Sequence, residues 1–438
     1  MDACNNTKTV LFPHFTCGPT GRMSTTFRAL ANPNYRLYSA GGIVSNVGIW
    51  MQRVAQDWLV LQLTDNSSIA IGITIGLQFL PTLLFGPYAG VVIDRFRKLR
   101  VLQLANLLLA LVSAVTGTLA VTGMAEPWHV YVLVFTFGIV AAVEGPARQS
   151  FIPELVDPDE LVNAVGLNSV SFNIARLLGP ALAGLLIAAL GSGVAAAGWV
   201  IIVNAFTYAA VIIALFRLNA NAITAPPPTP RQPKMLRDGV RYVRDRSDIM
   251  VVLVVVWFCG AFGLNFQLSA ALMATQVYGR GAGAFGLLGS CLAVGSLTGA
   301  LLAARREHVT SRFVVKAAYG FALALVIAGL LPTYLSFALW APILGVLALT
   351  VLTAANVTVQ MATDPQYRGR VMALYMAVLL GGAPFGSPLL GAAGEYFGAR
   401  WVLIGGGCMV FVGASLALTI FGTRSGTASL DTAVPKRH

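Results

Sequence analysis

Apolar residues in this chain gather into long runs parted by short polar or charged turns, and the runs have the length of a bilayer crossing. Twelve of them lie near residues 37–63, 69–93, 99–122, 128–150, 163–190, 194–216, 248–277, 282–304, 313–331, 334–358, 370–394 and 401–421. About 20 apolar residues wound as α-helix rise about 30 Å, the thickness of the hydrocarbon layer. The pattern predicts an all-α integral membrane fold of twelve transmembrane helices. Composition strengthens this: 57% of the residues are hydrophobic and 11% charged, where soluble domains carry about 25% charged residues.

The net charge of +12 could indicate a nucleic-acid partner, but its distribution argues against one. Of 29 Lys and Arg, Arg280 and Arg400 fall in loops on one side, Arg53 and Arg176 lie inside runs, and the rest fall on the opposite side. That asymmetry is the positive-inside pattern. It predicts that both termini and the even-numbered loops are cytoplasmic. Trp58, Trp128, Trp199, Trp340 and Trp401 sit near the predicted outer ends, as an interfacial belt would place them.

The cysteines, Cys4, Cys17, Cys259, Cys291 and Cys408, form no CxxC pair, and no metal or cofactor is expected. The first 22 residues lack the apolar core of a signal peptide, and Met23 is a candidate native start. All four histidines (His14, His129, His308 and His438) are read as lying outside the runs, and no Ser or Cys has a base nearby, which disfavours an embedded enzyme.

The chain divides at 217–247, where Pro226-Pro-Pro-Thr-Pro230 excludes a regular helix and Leu236, Val240 and Val243 then recur at helical spacing beside arginines. The expected layout is a cytoplasmic N-terminal segment (1–36), a six-helix bundle (37–216), a cytoplasmic linker (217–247), a second six-helix bundle (248–421) and a cytoplasmic tail (422–438). The linker's basic helix either lies along the membrane surface or is simply solvated. The bundles read as repeats: Asp157-Pro158 and Asp364-Pro365 stand 207 residues apart, and the same offset superposes Gly179-Pro-Ala-Leu-Ala-Gly184 on Gly386-Ser-Pro-Leu-Leu-Gly391. Each Asp-Pro is a candidate helix start.

Between the second and third runs lies Gly90-Val-Val-Ile-Asp94-Arg95-Phe-Arg97-Lys98-Leu-Arg100. This stretch resembles the signature loop of the major facilitator superfamily of secondary transporters, with Phe96 where that family commonly has glycine. The resemblance implies that Gly90 lets two helices approach. It also implies that Asp94 rests on the N-terminus of the eleventh span near Gly369 and Arg370, and that Arg95, Arg97 and Lys98 hold the cytoplasmic surface. These five residues would form a conformational gate, closed in the outward-open state. The second copy, Gly299-Ala-Leu-Leu-Ala-Ala-Arg305-Arg306, has Ala303 in place of the aspartate.

Polar residues inside runs are functional candidates because ionisable groups in hydrocarbon cost several kcal/mol. Asn46, Trp50, Arg53 and Asp57 follow at spacings that share one helical face, and Arg53 and Asp57 can pair at i,i+4. A coupling role and a static pair both fit. Ser169, Asn173, Arg176 and Pro180 share a face of the fifth run, with Arg176 about 20 Å from the cytoplasmic end. Arg176 needs a carboxylate or an anionic cargo group. Glu144 is the candidate partner, with Arg148 competing for it. In the second half Asn265, Gln267, Asn356 and Gln360 could hydrogen-bond a ligand, beside Met361, Met372 and Met376.

The runs from Trp50 to Thr64, Glu144 to Phe151 and Asn168 to Pro180 are similar to the bacterial branch of that superfamily that includes enterobactin exporters and macrolide efflux proteins. The resemblance covers about residues 27–421. It implies a monomeric exporter, not an enzyme, that carries an amphiphilic drug or siderophore-like metabolite across the lipid bilayer in exchange for protons. A proton-coupled importer of the same fold is the alternative.

Overall fold

The protein is described from a computed structural model that covers residues 25–220, 223, 235–304 and 309–421, and every regular element among them is helical. The first six runs form α1 (Pro33–Leu63), α2 (Ser68–Arg95), α3 (Lys98–Val121), α4 (Pro127–Leu155), α5 (Leu161–Ala189) and α6 (Val194–Arg217). The linker contributes α7 (Met235–Arg244). Then follow α8 (Ser247–Phe258), α9 (Phe266–Leu272), α10 (Ala282–Ala304), α11 (Ser311–Leu330), α12 (Tyr334–Ala362), α13 (Arg368–Gly381), α14 (Ala383–Phe397) and α15 (Arg400–Phe421).

Local chemistry sets many of the boundaries. Asn32 accepts from the amides of Asn34 and Tyr35 ahead of Pro33, and Thr333 and Ser336 form a reciprocal capping box at α12. Both satisfy amides that the first helical turn leaves unpaired. Gly398, at φ 97°, ends α14 in the left-handed region that glycine adopts without strain. The expected aspartate caps are not used: Asp157 makes no side-chain cap bond, and Asp364 instead accepts from Tyr242 Oη at 3.1 Å. His129 lies inside α4, where its Nδ1 accepts from the Glu126 amide at 3.1 Å, and not outside the runs as the sequence suggested.

Eleven helical segments among the described residues are long and apolar enough to cross a membrane, so this is a multi-pass membrane protein. The helix of the first run, α1, falls short of that criterion although it has 31 residues. Ser45, Asn46, Gln52, Arg53, Gln56 and Asp57 dilute its apolar content. Two runs are interrupted where sequence predicts continuity. The 248–277 run contains π-helical turns at Cys259–Gly263 and Met273–Val277, and the 370–394 run breaks at Gly382 between α13 and α14.

Two groups of helices pack internally: α1 against α5 and α6 with α3 against α4 and α6, and α10 against α12 with α11 against α12 and α15. Across the groups, α2 lies along α14 and α5 along α10. Glycines make both cross-contacts close. A β-carbon at Gly391 would lie 2.6 Å from Ser68 O and 3.2 Å from Gly72 Cα, and one at Gly184 would lie 2.7 Å from Ala282 O and 3.0 Å from Gly286 Cα. The repeated glycine pairs do equivalent work. Gly179 packs on Trp50 and Gly386 on Ala261, inside their own groups, while Gly184 and Gly391 meet the other group.

The linker helix α7 docks on the turn between α12 and α13. Its Tyr242 stacks on Tyr367 with ring centroids 4.5 Å apart, and Arg246 donates to Ala362 O at 2.6 Å. Val243 is buried and Val240 is exposed, whereas the sequence placed them on one apolar face. Leu236, the proline segment, the N-terminal leader with Met23 and the 422–438 tail lie outside the described residues or side chains.

Candidate functional site

Between the two groups lies a cavity of about 640 Å³. It is closed at the end holding the α1–α2, α5–α6 and α14–α15 turns. There, Glu395 Oε2 accepts from the Ser68 amide at 2.8 Å and from Ser67 Oγ at 3.3 Å, capping α2 from the opposite group. Gln276 Nε2 donates there to Asn66 O at 2.7 Å, and nearer the middle of α5 Ser290 Oγ donates to Leu177 O at 2.6 Å. At the other end a β-carbon at Gly90, Gly166 or Gly369 would meet nothing within 4 Å.

A carboxylate at a helix N-terminus is worth about 1 kcal/mol. Glu395→Gln should therefore shift the population about fivefold toward states open at this end. The measurement is the rate of thiol labelling at a cysteine replacing Ser290, which α5 covers in this state, in a background without native cysteines.

The cavity wall is largely apolar and aromatic, with Phe79, Phe172, Phe285 and Phe321 among its residues. Its polar groups are few. Trp50 stands in the wall between two arginines: the Arg53 guanidinium carbon lies 4.6 Å and that of Arg176 5.7 Å from the indole centroid. Arg176 Nη2 also donates to Ser296 Oγ at 3.1 Å across the two groups. Asn265 and Gln267 line the second-half wall beside the first π turn. Asn265 Nδ2 donates to Ala261 O at 2.6 Å and its Oδ1 accepts from Ser387 Oγ at 2.5 Å, so it also braces the interruption.

The structure brings together Trp50, Arg53, Arg176, Asn265, Gln267 and Met376 and leaves the other polar candidates, with Met361 and Met372, outside the cavity lining. Ser169 and Asn173 bond back to their own helix carbonyls, and Gln360 donates to Asn356 Oδ1 at 2.5 Å. Asn46 is buried and accepts from Arg148 Nη1 at 2.8 Å. Glu144 does not reach Arg176. It pairs at 3.5 Å with Arg148, one turn along the same helix, while Arg176 extends toward α10. Arg53 and Asp57 form no ion pair either. Arg53 stacks on Trp50, and Asp57 Oδ2 is buried without a hydrogen-bond partner.

Of the expected gate, Gly90 faces open space and mediates no close approach in this conformation. Arg95 and Arg97 are exposed, and Lys98 is held by Glu154 at 2.6 Å within the first group. The Asp94 side chain lies outside the described residues. Sequence reasoning missed Ser296 and Glu395, which work only across the groups. It also missed the buried cluster in which Ser113 Oγ donates to Gln52 Oε1 at 2.7 Å and Asn204 Nδ2 donates to the same oxygen. Isolated amides in the middle of apolar runs were the available signal.

A multi-pass helical fold around a central cavity sealed at one end has the geometry of a membrane transporter. The chain matches, over residues 24–433, the family described as transmembrane secretion effector. It belongs to that family, a branch of the major facilitator superfamily of transporters. It is 24% identical over 360 residues to the staphyloferrin A transporter of Staphylococcus aureus, covering 80% of this chain and 87% of that one. It is 22% identical over 373 residues to macrolide efflux protein A of Streptococcus pyogenes, covering 84% and 91%. Among solved structures, a bacterial homologue of the human lysosomal transporter Spinster, in an inward-facing and occupied conformation, superposes with a TM-score of 0.68 at 16% identity. That match covers 92% of this chain and 99% of the other.

Proposed function

We propose that this transporter exports an amphiphilic small molecule by alternating access, driven by proton entry. In this reading α1 is the twelfth span, and the spans form two six-helix repeats, 37–216 and 248–421, around the 217–247 linker. Both termini are cytoplasmic, the membrane is the bacterial inner membrane, and the open end of the cavity faces the cytoplasm. The chain acts as a monomer. The observation that carries the reading is the apolar cavity with a few convergent polar groups, set between helix groups whose closed-end contact is glycine on backbone and so can separate as a rigid face. The equivalent use of Gly179–Gly184 and Gly386–Gly391 supports duplication. The efflux named for one relative supports the outward direction. The Gly90 to Lys98 loop would close the opposite end in the other state, with Asp94 on the N-terminus of α13.

Inverted membrane vesicles containing the protein and acidified inside should accumulate 4-(2-naphthyl)butanoate above the level of control vesicles, and a protonophore should abolish the excess. Accumulation that survives the protonophore would remove proton antiport, and net loss of a preloaded probe would favour the importer. Orientation is tested by impermeant thiol labelling in intact cells, where a cysteine at Met124 should react and one at Arg244 should not. The reverse result inverts the charge argument.

A further inference from the structure

Among the described residues the cavity is lined by two cations and no carboxylate. Arg53 and Arg176 both line it and both lie within cation–π distance of one indole ring. No Asp or Glu is among its lining residues. Glu144 is paired with Arg148, and Asp57, one turn beyond Arg53 and its charge neighbour, makes no ion-pair contact with it and does not line the cavity. Among the described residues Arg176 has a neutral hydroxyl, Ser296, as its hydrogen-bond partner, and Arg53 has the Trp50 face. Two like charges beside one ring repel, and cations withdrawn from water are costly without a counter-charge. A guanidinium offers a fork of donors that matches a carboxylate. Apart from Ser296, Asn265 and Gln267 the rest of the wall is apolar, with phenylalanine and leucine prominent, suited to an aromatic or aliphatic body.

We propose that the cargo is an anionic amphiphile whose carboxylate lies between Arg53 and Arg176 beside Trp50, with its apolar body against the phenylalanine wall. This rests on the reading above that the cavity is the cargo site. An ammonium-bearing amphiphile of the same shape would meet two like charges and be rejected. Ser296, donated from the opposite group, would orient Arg176 toward the anion.

The test uses the full chain in nanodiscs of phosphatidylcholine and three probes that share one body and tether: 4-(2-naphthyl)butanoate, its primary amide and the corresponding amine. Calorimetric titration should give the carboxylate at least tenfold tighter binding than the amide, with the amine weakest. Arg53→Gln and Arg176→Gln should each bring the carboxylate-to-amide ratio to within about twofold. Arg53→Lys and Arg176→Lys, which keep the charge, should retain most of the preference and guard against loss of fold, checked by melting temperature. Equal binding of acid and amide, or a preference that survives both Gln variants, overturns the proposal. Loss of the preference in discs containing phosphatidylglycerol would assign the site to an anionic lipid and overturn it as well. Flux separates this inference from the exporter reading. Equal transport of acid and amide would leave export standing and remove the anion, whereas selective binding without movement of any probe would keep the anion site and remove export.

Discussion

Valine at Gly286 is expected to cut transport at least tenfold while leaving the chain folded in the membrane. A β-carbon at this position would overlap the Pro180 carbonyl oxygen and lie 2.9 Å from Gly184 Cα. Both obstacles are backbone of the opposite helix group, so neither can swing aside as a side chain could. Relief requires α5 and α10 to part, and overpacking of this kind costs about 1–3 kcal/mol. Because the contact joins the groups and is not internal to either, that cost falls on this closed-end state alone. A bias of this size moves the equilibrium by about one to two decades toward the alternative state. The Ser290 cysteine reporter should then label faster, with membrane abundance unchanged. Gly283 supplies the control, since a β-carbon there would find Ala188 Cβ at 3.7 Å, an ordinary contact. Gly283→Ala should transport at close to the parental rate. Wild-type turnover in Gly286→Val would mean that this seal does not open and close during transport.

Asp57→Asn should abolish uphill accumulation while downhill exchange continues. Asp57 is 2% exposed, and its Oδ2 has no donor among the described residues. A carboxylate so placed is costly as a charge, and the isosteric amide removes the charge without opening a cavity. The substitution should therefore leave folding intact and remove the exchangeable proton. A pH step of one unit supplies about 1.4 kcal/mol per proton, a tenfold gradient. In inverted vesicles with that step the inside-to-outside ratio of the naphthyl probe should fall from about ten, for one-to-one exchange, to about one. Glu144→Gln should act differently, because Glu144 already has Arg148 as a partner and its loss leaves that cation with Asn46. If Asp57→Asn still concentrates the probe and Glu144→Gln does not, coupling belongs to Glu144.

Much of the membrane architecture was legible because its signal is local. An apolar run long enough to cross hydrocarbon is visible residue by residue, and the helices or interrupted helices fall on the predicted runs to within about five residues at each end. The face shared by Trp50 and Arg53 followed from helical spacing alone, and both residues line the cavity. The partner of Arg176 was not legible, because the pairing of α5 with α10 is set by packing between segments far apart in sequence. The π turns were hidden for another reason: in an all-apolar run no polar stripe marks a change of helical period. Gly90 shows a third limit: the resemblance implied a close approach of helices there, and in this structure a β-carbon at Gly90 would meet nothing within 4 Å. The glycine repeats were visible as coincidences of spacing, but their division between internal and cross-group contacts needed three dimensions.

Where the helices of the two groups touch most closely, the contact is backbone against backbone, with Gly72 facing Gly391 and Gly184 facing Gly286. Apart from the few hydrogen bonds of Glu395, Gln276 and Ser290, this surface has little chemistry with which to recognise a cargo. Closure there depends chiefly on whether the helices fit. Selectivity and closure are thereby written in different residues. The cavity wall can drift toward new molecules by exchanging one side chain at a time, without relearning how to shut, whereas the four glycines tolerate no such drift.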